Sequence, residues 1–131
     1  MVYYKLMTVL EVRNLNLGFN CECGFRQALF DVSFSLEKGR MHALVGESGC
    51  GKTLSAMSIL QLLPKNAQIK GGEVIFKGKN LFRASKNEMQ HIRGAKIALI
   101  PQDPMTSLNP LYTVGDQLLE VIKIHQGLRG K

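Results

Sequence analysis

Eight consecutive residues, Gly46-Glu47-Ser48-Gly49-Cys50-Gly51-Lys52-Thr53, match the pattern G-x-x-x-x-G-K-[ST]. Each residue type has a task at a phosphate. Glycines let the backbone turn tightly, so that successive N–H groups along the loop point inward at phosphate oxygens. A helix that starts at the end of the loop adds the partial positive charge of its N-terminus. Lys52 reaches the β- and γ-phosphates, and the Thr53 hydroxyl ligates Mg²⁺. One lysine–phosphate pair at ~4 Å is worth on the order of 4 kcal/mol at an effective dielectric of 20, before desolvation. Average residue usage produces a chance match in a chain this long roughly once in a few hundred cases. Cys50 lies inside the loop without a neighbouring base, so it reads as a small residue that fits there rather than as a nucleophile.

This chemistry requires a buried strand before the loop and a helix after it. Residues 41–45, MHALV, form a short apolar run that predicts the strand. Residues 52–63, KTLSAMSILQLL, predict the helix, which Pro64 stops. Three further segments predict an antiparallel layer. Residues 9–19 alternate in their first half, and residues 28–36 alternate again after a loop over 20–27. Residues 73–81 follow Gly71-Gly72 and turn at Gly78. Residues 96–100, KIALI, read as a second buried strand broken by Pro101, and Pro104 and Pro110 exclude regular structure beyond it. Residues 85–93 are polar and read as a short helix or a loop; Ser85 can cap a helix there, with Glu88 three residues later. Thr113 and Asp116 form a capping box for a helix through Ile124, with Leu118, Leu119, Val121 and Ile122 on its apolar face.

The whole chain has 131 residues, room for one domain and hardly two. Its 45% hydrophobic and 21% charged content excludes a disordered or collagen-like chain. No apolar stretch approaches the ~20 residues of a membrane-spanning helix, and the N-terminus lacks the pattern of a secretory signal. A cytoplasmic protein is expected. The net charge is +7. Residues 65–96 carry eight basic side chains against Glu73 and Glu88, a surface able to attract nucleic acid, anionic lipid or acidic protein. Only Phe76 and Phe82 interleave there, too few for the stacking used by single-strand binders, so no nucleic acid is expected. Three cysteines, Cys21, Cys23 and Cys50, suit free thiols in a reducing compartment. Cys21-Glu22-Cys23 offers only half of a structural zinc set.

Residues 28–64, with the phosphate loop at their centre, and KIALIPQDPMTSLNPLYTVGDQLLE together resemble the ATP-binding subunits of ABC transporters. The similarity is closest to the dipeptide, oligopeptide and nickel importer branch, and it runs from about Val9 to the C-terminus. It implies an α/β fold: a P-loop NTPase core, with a parallel sheet and helices, plus an antiparallel β subdomain. On this pattern residues 1–131 are a partial nucleotide-binding domain. About 9–105 hold the β subdomain and core, and about 106–131 the exit from the Q-loop and the start of a helical subdomain.

Gly46 to Thr53 then correspond to the Walker A loop, and Gln102 to the Q-loop glutamine that approaches Mg²⁺ and the attacking water. An amide suits that task, since its oxygen ligates a hard cation and its amide group orients water. The resemblance puts the adenine-stacking aromatic at the end of the first strand, at Phe19, with Phe25 as the alternative. It implies ATP and Mg²⁺ as cofactors. Its partners would be permease subunits met through the Q-loop segment and a second ATP-binding subunit, on the inner face of the cell membrane and without insertion into the bilayer. The signature motif LSGGQ, the Walker B strand with its carboxylates and the switch histidine are not found in these 131 residues. Either Met1 or Met7 serves as the start. The expected function is the ATP-binding component of a peptide importer, or of one for nickel or a related solute. The alternatives are a truncated remnant that holds Mg-ATP without hydrolysis, and a non-transport ABC ATPase. The family hydrolyses ATP; this chain by itself is expected to bind it weakly without turnover and to be poorly soluble.

Overall fold

The computed structural model describes residues 7–103 and 107–126. The chain divides into two compact units, Met1–Ser85 and Lys86–Lys131. The first contains β1 (Thr8–Cys21), β2 (Gly24–Glu37), α1 (Lys52–Ile59), β3 (Ala67–Phe76), β4 (Lys79–Asn80) and a 3-10 turn, Leu81–Arg83. The strands form one antiparallel sheet in the order β2-β1-β3-β4.

β1 is one of the two inner strands, and its buried residues change phase midway. Leu10 and Val12 are buried, then Leu15 and Leu17. Strict alternation would turn the second pair to the opposite face. One extra residue at Arg13-Asn14 corrects the phase, since three steps from Arg13 to Asn16 face two from Glu73 to Gly71. This is a β-bulge, with Asn14 at φ 46°. A second irregularity lies on β2 at Asp31, also at φ 46°. Asn16 donates its amide to the Asp31 carboxylate at 2.7 Å, and its carbonyl oxygen accepts from Gln27 at 2.8 Å. Arg13 donates to Glu11 at 2.7 Å and holds that carboxyl below the usual carboxylate range.

Several boundaries differ from the sequence expectation. The loop anticipated over 20–27 is a tight turn: Phe19, Asn20 and Cys21 pair with Arg26, Phe25 and Gly24, leaving Glu22 and Cys23 at the tip. Pairing is a property of the backbone, and an exposed hairpin end needs no apolar alternation to declare it. β3 begins at Ala67 rather than after the glycine pair, and it stops at Phe76. α1 stops at Ile59 rather than at residue 63. Gln61 N–H donates to Ser58 O and Leu62 N–H to Met57 O, both at 3.0 Å, with Gln61 at φ 52°. That is a Schellman closure, and it ends the helix before Pro64. The Gln61 side chain donates to Leu81 O at 2.6 Å, which supports a left-handed conformation that glycine usually takes.

Residues 41–45 and 96–100, expected as buried strands, are not strands. A strand is held by neighbours on its hydrogen-bonding edges. Among the described residues the sheet pairs only β1 to β4, so neither apolar run has such a neighbour. Met41 is 99% exposed and Ile100 90%. Ile97 makes one isolated parallel bridge to Arg93.

The second unit contains α2 (Lys86–Ile92) and α3 (Val114–Gln126). The anticipated capping box is formed. Thr113 Oγ1 accepts from Asp116 N–H at 3.1 Å and donates to the Asp116 carboxylate at 2.7 Å. No residue of α3 is buried, and Leu118, Leu119 and Val121 are more than half exposed.

Candidate functional site

The phosphate loop lies between two rigid pieces of the first unit, β2 and α1. Gly49 and Gly51 have φ of 81° and 96°, in the left-handed region that favours glycine. A Cβ on Gly51 would stand 2.4 Å from Leu29 Cδ2, so the side chain at that position is also excluded by contact. Leu29 is buried in β2, and its register opposite Leu17 fixes where the back of the loop rests. A Cβ on Gly46 would meet Cys50 Sγ at 2.7 Å.

Gly51 is the N-cap of α1, and no side chain caps the helix there. The first N–H groups of a helix have no partner within it, so a set of donors faces the loop. Lys52 supplies the charge. Its ammonium donates to Gly46 O at 2.7 Å, to Glu47 O, and to Cys50 Sγ at 3.5 Å. The lysine therefore closes the loop on itself. Behind the loop, Ser55 is 2% exposed. Its N–H and its hydroxyl both donate to Gly51 O, at 2.8 and 2.9 Å. Thr53, the second helical residue, is exposed.

This arrangement suits an anion of several oxygens: an uncapped helix N-terminus and one ammonium stand at the same loop. ATP with Mg²⁺ fits the donor set, since the lysine can exchange two carbonyls for phosphate oxygens and the Thr53 hydroxyl stands at the helix start. Of the residues named from the sequence, Gly46 to Gly51 form the loop, and Lys52 and Thr53 open α1.

The other candidates lie apart in the chain. Phe19 is half-buried within β1, between Arg26 of β2 and Ala67 of β3. Phe25 is the second residue of β2, and its ring already has two neighbours. The Lys70 ammonium stands 4.6 Å from the ring centroid, and a Cβ on Gly18 would stand 2.5 Å from Phe25 Cζ. Gln102 belongs to the second unit, exposed at a bend; Pro104 lies outside the described residues. Leu29 and Ser55 were not singled out from the sequence. A serine one helical turn after the last loop glycine is a legible signal. Leu29 carries none beyond its place in an alternating strand.

Among the described residues no helix is long and apolar enough to cross a membrane. Residues 29–129 match the family described as ABC transporter. A probable peptide ABC transporter ATP-binding protein of Sinorhizobium fredii is 52% identical over 122 residues, which are 92% of this chain and 36% of that protein. The dipeptide transport ATP-binding protein DppD of Bacillus subtilis is 50% identical over 124 residues, 94% of this chain and 37% of its own length. The oligopeptide transport ATP-binding protein OppD of the same organism is 44% identical over 123 residues, 93% and 34% respectively. The chain thus spans little more than a third of the length of these relatives. The match over residues 29–129 takes in the whole phosphate loop and the part of β2 from Leu29 onward, and the chain belongs to the ABC transporter family.

Proposed function

We propose that the chain is the ATP-binding component of a peptide importer and grips the nucleotide through residues 46–53. The observation that carries this reading is the loop itself: an uncapped helix start with Lys52 folded over it. The names of the relatives support peptides as the solute class. Thr53 and Gln102 are the side chains assigned to Mg²⁺, and Phe19 the one assigned to the adenine. Phe19 is preferred to Phe25 because the Phe25 ring is already engaged by Lys70. Bound Mg²⁺ would offset phosphate charge in the catalysed step of the family, while Lys52 and the loop amides bind and orient the phosphates. Residues 9–105 are assigned to the β subdomain and core, residues 106–131 to the entry of a helical subdomain. The partners assigned are a permease, met through the segment around Gln102, and a second ATP-binding subunit, with the assembly on the inner face of the membrane.

Calorimetric titration of the purified chain with Mg-ATP tests this. Lys52→Ala is expected to weaken binding by at least ~10-fold, the scale of one charge-assisted contact. Equal affinity of the variant and the original chain would sink the reading.

A further inference from the structure

We propose that Ser55 is a positioning residue of the phosphate loop, acting through the Gly51 carbonyl; this rests on residues 46–53 being the phosphate grip. The Gly51–Lys52 peptide is planar and trans, so its C=O and its N–H point in opposite directions. Whatever pins the carbonyl therefore aims the Lys52 N–H. Ser55 pins it twice, through N–H at 2.8 Å and through Oγ at 2.9 Å. The carbonyl is drawn into the helix, and the Lys52 N–H is turned out of the helix end toward the loop. On the other side, Leu29 Cδ2 stands 2.4 Å from where a Cβ on Gly51 would lie, so Gly51 itself packs closely on β2.

A serine that donates back to the carbonyl four residues earlier contributes little to helix stability, and often slightly the reverse. Its worth here lies in which carbonyl it holds. Ser58 provides the internal comparison. It is as buried as Ser55 (0% against 2%), on the same helix, and its hydroxyl also donates backward, to Ser55 O at 2.7 Å. It does not touch the loop glycine. A structural serine and a positioning serine thus stand three residues apart.

The test uses the full chain and Mg-ATP, with affinity from calorimetry and the Lys52 amide followed by ¹⁵N nuclear magnetic resonance. Ser55→Ala is expected to weaken ATP binding by about five- to tenfold, the scale of one hydrogen bond, and to shrink the Lys52 amide shift at saturation. Ser58→Ala is expected to stay within about twofold of the original affinity, with both variants melting at similar temperatures. Equal losses in the two variants, or an unchanged affinity and amide shift in Ser55→Ala, would overturn the assignment. If Ser55→Ala shows no melting transition, Ser55→Cys replaces it, because a thiol is a weak donor of similar size. Unchanged affinity in that variant overturns the proposal equally. Lys52→Ala separates the two levels: binding retained there removes the phosphate reading, whereas binding lost there and kept in Ser55→Ala removes only the role of Ser55.

Discussion

Two adjacent glycines show how little a residue's type says without its neighbours. Gly72 has φ 97°, and a Cβ on it would stand 2.5–2.7 Å from Asn14 O, Arg13 O and Leu15 Cα, all backbone of the β1 bulge. A Cβ on Gly71 would meet nothing within 4 Å. Gly72→Ala is therefore expected to cost on the order of 3 kcal/mol, and Gly71→Ala within about 1 kcal/mol of zero. Urea midpoints of the two variants check this, and equal midpoints would contradict the account. The difference was not legible in the sequence, where the pair marked only the opening of a strand. It depends on a bulge in another strand, at Arg13–Leu15 far upstream, and on Asn14 taking a left-handed conformation that its type merely tolerates. The loop residues were legible because the site is contiguous, so its spacing in sequence is its spacing in space.

The antiparallel layer and one local signal matched their sequence reading, while two apolar runs did not become strands. The Thr113–Asp116 capping box closes over three residues and forms as expected. The apolar runs at 41–45 and 96–100 have the composition of buried strands, but composition supplies no hydrogen-bonding neighbour. α3 lies between these cases. Its amphipathic pattern is real, yet the apolar side is uncovered: Leu118 is 60% exposed, Val121 55% and Ile124 66%. Such a face associates in water. The chain is expected to self-associate at micromolar concentration in sedimentation experiments. Leu118→Lys combined with Val121→Lys should restore monomers while leaving helical circular dichroism intact. Undiminished association in that variant would place the sticky surface elsewhere.

On the scale of the whole molecule, the core is unevenly shared. Among the described residues, Met89 is the one buried apolar side chain of the second unit; Leu10 through Leu81 all belong to the first. A fragment of residues 1–85 is accordingly expected to keep the β-sheet circular dichroism of the chain and its Lys52-dependent binding of ATP. An unfolded spectrum for that fragment would show that the first unit depends on the second. The fragment would also keep both carbonyls, Gly46 O and Glu47 O, that receive the Lys52 ammonium. Those two oxygens bear on departure as much as on arrival. A phosphate leaving the loop does not strand a bare cation, since replacement acceptors wait within reach of the same side chain. On the proposed phosphate reading, these contacts stabilise the empty loop against the bound one and so weaken retention of a nucleotide. A loop that re-forms its own contacts at each exit favours repeated exchange over long retention.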